Sequence, residues 1–194
     1  MLNSYGKYKN ARNASWETII NYNINSLPVS VTTICKAENI TLAKNSNVNM
    51  LKNNEFAKTF LVGENWYIIY DDTMLNSRIR FSVAHELGHI FLGHTLINNS
   101  YSRTFNLNKP ETETQADIYA SRLLAPACVL WALDIHTPEE IQKLCNISYS
   151  SAVIRAERME LLYKRNKFLT SPLERKVFKQ FDEYIRGYKN GIYR

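Results

Sequence analysis

Apolar positions recur at helical spacing along most of this chain and at strand-like density in one stretch. Residues 79–92, Ile-Arg-Phe-Ser-Val-Ala-His-Glu-Leu-Gly-His-Ile-Phe-Leu, are largely apolar and helix-compatible, with Asn76 or Ser77 as the expected cap. Residues 110–125 predict a second helix, because proline suits its first turn and Pro126 stops it. Glu113, Ala116, Asp117, Ala120 and Leu124 share a small, apolar face of that helix, which is expected to point inward. Glu111, Gln115, Ile118 and Arg122 share the opposite, mostly polar face. Residues 58–62 and 66–70 are β-rich runs separated by Gly63-Glu64-Asn65, a hairpin signal. Ser15 is placed to cap a helix over 16–25, and Leu27-Pro28-Val29-Ser30 leads into another that stops near Asn39.

The C-terminal third predicts helices only. Thr137-Pro138-Glu139-Glu140 is a capping box with proline at the first helical position. Ser148 opens a helix to about residue 164, and with Asn146 in the turn the pair has helix-turn-helix dimensions. Packing of two short helices gives the same pattern without any contact to DNA. Ser171-Pro172-Leu173-Glu174 predicts a second capping box. One amphipathic helix follows, with Leu173, Val177, Phe178, Phe181, Tyr184, Ile185 and Tyr188 along a stripe suited to core or interface.

The chemistry lies in His85-Glu86-Leu87-Gly88-His89. Residues four apart on a helix sit one turn above each other, so both imidazoles face one site. That spacing supplies two nitrogen ligands to one Zn²⁺, with Glu86 positioned as general base for the attacking water. Two incidental core histidines would leave the burial of two imidazoles and a carboxylate uncompensated, at several kcal/mol. A catalytic zinc site usually has a third protein ligand. Glu113 is the carboxylate on the inward stripe, and Asp117, one turn on, can accept from a ligand histidine's second nitrogen. His94 competes with Glu113, but Gly93 and His94 fall eight and nine residues after His85, which misses the extended three-histidine spacing. The residue-level argument favours Glu113.

These segments resemble the ImmA/IrrE family of metallo-endopeptidases. The resemblance rests on Arg80 through His89, on Gly93-His94, and on Glu113-x-x-Ala116-Asp117-x-Tyr119-Ala120-x-x-Leu123-Leu124-x-Pro126, with weaker echoes in residues 27–29 and 138–148. Ser82, Asp117, Tyr119 and Ala125 stand where the family usually has Thr, Asn, Phe and Met, and none of these removes a ligand. The resemblance implies His85, His89 and Glu113 as zinc ligands and Glu86 as catalytic base. The expected fold is an α+β, zincin-like protease domain over 1–128, a small antiparallel sheet packed on the His85–His89 helix, with one hairpin strand holding substrate backbone as an added strand. A helical region over 129–194 completes the chain. His94, Tyr119, Tyr101 and Arg103 are candidates for oxyanion or substrate contact. The implied substrate is a helix-turn-helix repressor of a mobile element, prophage or stress regulon.

Composition narrows the setting. No apolar run approaches the length of a membrane span, and the polar first 14 residues have no apolar signal region, so a cytoplasmic protein is expected. Cys35, Cys128 and Cys145 lack metal or redox spacing and read as reduced small hydrophobes. Residues 1–150 carry 13 Lys and Arg against 13 Asp and Glu, whereas residues 151–194 carry 11 against 5 and so the whole net charge of +6. Arg155, Arg158, Lys164, Arg165 and Lys167 form the densest basic cluster, suited to an acidic partner, nucleic acid or a DNA-bound protein, or to a solvated surface. The rival reading is a non-proteolytic zinc-containing regulator that binds DNA or a repressor through these helices. Retention of Glu86 speaks against it, because a structural zinc site needs no base and usually has four protein ligands.

Overall fold

The computed structural model describes residues 2–94, 100–104 and 110–192, without the side chains of 2–7 and 100–104. The elements run α1 (Leu2–Asn21), α2 (Val31–Ala37), β1 (Thr41–Lys44), α3 (Asn45–Val48), β2 (Glu55–Val62), β3 (Asn65–Tyr70), α4 (Asn76–Phe91), β4 (Ser100–Thr104), α5 (Glu111–Leu124), α6 (Ala127–Ala132), α7 (Pro138–Cys145), α8 (Tyr149–Lys164), α9 (Pro172–Gln180) and α10 (Asp182–Lys189). The fold is α+β. The chain forms two compact units, one of residues 1–14 and 30–120, the other of 15–29 and 121–194.

The first unit holds a four-stranded sheet in the order β1-β3-β2-β4. β2 and β3 form the expected antiparallel hairpin, from Ala57 opposite Tyr70 to Val62 opposite Asn65. Gly63 takes φ 61° in its turn, a conformation that costs other residues a Cβ clash. β4 pairs antiparallel to β2, but β1 pairs parallel to β3, so the sheet is mixed and not wholly antiparallel. β1 is only four residues long and reaches its partner by a crossover, which leaves no local sequence signal. Both hairpin strands are interior. The expectation that one of them offers a free edge to substrate therefore fails, and the outer strands are β1 and β4.

α4 packs across β2 and β3. Val83, Ala84 and Leu87 on the helix and Ala57, Ile68 and Ile69 on the sheet are almost wholly excluded from solvent. Full burial of each larger side chain contributes about 1.5–3 kcal/mol. Leu75, not Asn76 or Ser77, occupies the N-cap position, and no side chain caps the first turn.

In the second unit the Thr137–Glu140 capping box closes α7 as expected, and Asn146 at φ 50° links it to α8. Ser148 caps α8 by accepting from Ser151 N. The C-terminal stripe is broken into two helices at Phe181, which ends α9 and precedes α10. Val177, Phe181, Tyr184 and Ile185 are buried, so the stripe is core. Ser171 makes no capping bond, although Glu174 Oε2 accepts from Thr170 N. Ser15 is no N-cap either: it is buried inside the 20-residue α1. Gln180 Nε2 donates to Ile19 O, in the last turn of α1, and to Ile24 O, just past it, both at 2.7 Å.

All three cysteines are free and buried. Burial pushes the Cys35 thiol up to about 12 and raises Cys128 further, so neither forms a thiolate near neutrality. Among the described residues no helix is long and apolar enough to cross a membrane.

Candidate metal centre

The inner face of α4 carries His85, Glu86 and His89, with 0, 0 and 1% of their surfaces exposed. α5 approaches this face because residue 88 is glycine. A Cβ there would lie 3.0 Å from Tyr119 Cδ1 and 3.2 Å from Ala116 Cα. Small residues at both contact points let two helices come close enough for α5 side chains to reach the α4 histidines.

Glu113 is the carboxylate that arrives. His85 Nε2 and His89 Nε2 lie 3.0 Å apart, His85 Nε2 is 3.1 Å from Glu113 Oε2, and His89 Nε2 is 3.1 Å from Glu113 Oε1. His85, His89 and Glu113 form a group that could hold a metal ion. A tetrahedral ion with ligand bonds of about 2.0–2.1 Å sets its ligand atoms about 3.3 Å apart, so the three donors fit one. Burial would raise the Glu113 carboxyl, but the facing His85 and His89 outweigh it and hold the group well below the usual carboxylate range. Burial lowers His89 and His94, which favours the neutral form of both rings. A carboxylate and two imidazoles so placed form a donor set that suits a cation.

The far ring nitrogens are held as well. His85 Nδ1 is 2.8 Å from Asp117 Oδ1. His89 Nδ1 is 3.1 Å from His94 Nδ1, and His94 Nε2 is 2.8 Å from Gln115 Oε1. Gly93, just past the end of α4, takes φ 71° and turns the chain so that His94 folds back behind His89. With both nitrogens so engaged, His94 stands outside the ligand group, and Glu113 stands inside it.

The IrrE N-terminal-like domain of peptidase family M78 matches residues 35–157, well over half of the chain. The protein belongs to the ImmA/IrrE family of metallo-endopeptidases. No curated protein matches the chain. As a family member it is a hydrolase that cleaves peptide bonds in a protein substrate, and the matched span contains every residue of the metal group.

Other expected site residues of this ImmA/IrrE peptidase are dispersed. Tyr119 is fully buried against Gly88 and Phe91, which leaves it no face toward substrate. The backbone of Tyr101 and Arg103 lies in β4, and their side chains fall outside the described residues. Arg155 does not belong to a basic surface: it is 1% exposed, and it and the buried Glu174 both lie near enough to Cys128 to act on its thiol. A guanidinium so excluded from solvent belongs to the core and not to a basic surface. Arg158 is half-buried, while Lys164, Arg165 and Lys167 are exposed and Lys164 pairs with Glu160 at 2.6 Å. Gln115 lies on the stripe expected to face outward, yet it reaches His94. The available signal was Tyr119, one turn later on the same stripe, whose aromatic ring turns that edge of α5 inward.

Gly88→Ala tests the close approach that assembles the centre. Alanine improves helix propensity by about 1 kcal/mol, but overpacking costs about 1–3 kcal/mol. The clashing atoms include α5 backbone, which cannot yield as a flexible side chain would. A net loss on the order of 1 kcal/mol is expected, read as a melting temperature lower by about 2–4 °C, together with weaker metal retention. A variant with higher stability and full retention would show that the helices have room to spare.

Proposed function

We propose that this peptidase is a cytoplasmic, zinc-dependent endopeptidase that makes a single cut in a helix-turn-helix repressor of a mobile element, prophage or stress regulon. The observation that carries the chemistry is the three-donor group of His85, His89 and Glu113 with buried Glu86 beside it. The repressor follows from the family resemblance in the motifs of α4 and α5.

Zinc held by His85, His89 and Glu113 would act as a Lewis acid, lowering the pKa of water to about 7 and polarising the scissile carbonyl. Glu86 takes the proton of the attacking water on its carboxylate and later delivers it to the leaving amine. Asp117 holds the His85 ring in place through Nδ1. Of the candidates for a further donor to the developing oxyanion, Tyr119 is buried and His94 is engaged by His89 and Gln115. β4, an outer strand paired with β2, supplies backbone groups to which an extended substrate can add.

The exposed face of α8 favours a protein partner over duplex DNA. Its exposed residues are Tyr149, Ser150, Ile154, Glu157, Glu160, Leu161 and Lys164, which present carboxylates and apolar groups and little to bind phosphate. Exposed basic residues cluster instead at Arg165, Lys167, Arg175, Lys176 and Lys179.

The experiment is co-expression with a small helix-turn-helix repressor encoded beside this chain's gene. One discrete cleavage product is expected, and an intact repressor would defeat the substrate assignment. Neutralising Lys164, Arg165 and Lys167 should leave fold and zinc content unchanged and raise KM for the repressor at low salt. The difference should shrink at high salt, where screening has already weakened the wild type. Wild-type cleavage rates at every salt concentration would reduce these residues to a solvated surface.

A further inference from the structure

The two histidines of the metal group are backed in different ways. A neutral imidazole carries a proton on one nitrogen and a lone pair on the other. Behind His85 stands a carboxylate, which as an ionised group can only accept. His85 therefore keeps its proton on Nδ1, directed at Asp117, and bares Nε2 toward Glu113 and His89. Behind His89 stands another imidazole, and that contact alone leaves the direction of the hydrogen bond open.

Gln115 closes the question. Its Oε1, a pure acceptor, lies 2.8 Å from His94 Nε2, so the His94 proton sits on Nε2 and its Nδ1 is bare. His94 Nδ1 then accepts from His89 Nδ1–H at 3.1 Å, which bares His89 Nε2 toward the centre. The reverse order, with the Gln115 amide donating, would leave the His89 proton on Nε2. That nitrogen lies 3.0 Å from His85 Nε2 and could take no metal ion.

We infer that Gln115 and His94 form a two-step relay that fixes the tautomer of His89 and presents its Nε2 lone pair to the metal, both acting as positioning residues. This rests on the metal reading given above. The relay orients the second histidine without a further carboxylate. Glu113 faces the group and Asp117 stands behind His85, so a neutral acceptor avoids placing a third carboxyl group in a buried site. The turn at Gly93 is what brings His94 into register.

The test uses the full chain with two readouts: zinc affinity by competition with a chromophoric chelator, and the position of the imidazole protons in the metal-free protein by long-range ¹H–¹⁵N NMR. Gln115→Leu removes the acceptor at a half-buried position where the fold is not at stake. It should weaken zinc binding about 10-fold, the low end of what loss of a ligand's hydrogen-bond partner costs. It should also turn the single His89 Nδ1–H tautomer into a mixture. Gln115→Glu keeps an acceptor on His94 Nε2 and should keep the single His89 Nδ1–H tautomer, whatever its added charge does to affinity. His94→Asn places an amide oxygen where Nδ1 was, so it should retain most of the affinity and make Gln115→Leu without further effect in the double variant. Unchanged affinity in Gln115→Leu, additive losses in the double variant, or a wild-type His89 protonated on Nε2 would each overturn the relay. A wild type that takes up no zinc would defeat the proposed function, and the tautomer readout would still decide the relay.

Discussion

Glu86→Gln should retain its metal and its fold while substrate cleavage falls by about 10²–10⁴-fold, the span a positioned general base contributes. Glutamine has nearly the shape of glutamate, so the packing around this fully buried position is kept. What it lacks is a basic oxygen for the proton of the attacking water. Because that oxygen acts in the transition state and not in holding the substrate, the loss should appear in kcat with KM little changed. Single-turnover cleavage of the partner repressor, with metal content measured on the same sample, separates the two. Undiminished cleavage would remove Glu86 from the mechanism. Loss of metal along with activity would make the carboxylate part of the scaffold, the arrangement a non-proteolytic regulator would have.

The α4 and α5 helices were readable because each couples an apolar stripe to polar residues that a buried face cannot otherwise tolerate. His85, Glu86 and His89 stand in an apolar run, and Glu113 interrupts a stripe of alanines, so burial alone marks all four. The hairpin was equally local, since Gly63 sits between two dense β runs. What escaped was set by contacts distant in sequence. β1 gains its place by parallel pairing with β3, to which its four residues give no clue. The first half of α1 is Asn-rich and polar, a poor helix by composition, yet it continues through Ser15 with Ala11 fully buried on one side. The C-terminal stripe predicted one helix, and Phe181, near φ −88° and ψ 4°, divides it into two without disturbing the buried residues. Arg155 shows the limit of counting charge: Lys164, Arg165 and Lys167 of the same cluster are exposed, whereas its own guanidinium lies in the core. Gln115 shows the limit of a helical wheel, because a long polar side chain at the edge of a stripe can reach a partner that only the turn at Gly93 brings near.

His85→Ala or His89→Ala should abolish zinc retention, and Glu113→Ala should weaken it severely while His94→Ala weakens it far less. The order follows from the geometry. Each Nε2 lies within 3.1 Å of the other two donors, so removing either imidazole leaves two ligands where a catalytic zinc site needs three. Glu113 supplies the only charge among the three donors, and without it two neutral imidazoles must hold a dication alone. His94 meets His89 at the far ring nitrogen, Nδ1, so its removal releases a ring orientation and not a ligand. Stability gives a reading independent of proteolysis. Free zinc at 100 times its dissociation constant stabilises the folded state by about 2.7 kcal/mol. In a chain of this size that is a rise in melting temperature of about 5–10 °C. Adding zinc to chelator-treated wild type should produce that rise, His94→Ala a smaller one, and His85→Ala none. A full rise in Glu113→Ala beside none in His94→Ala would exchange their roles and make His94 the third ligand.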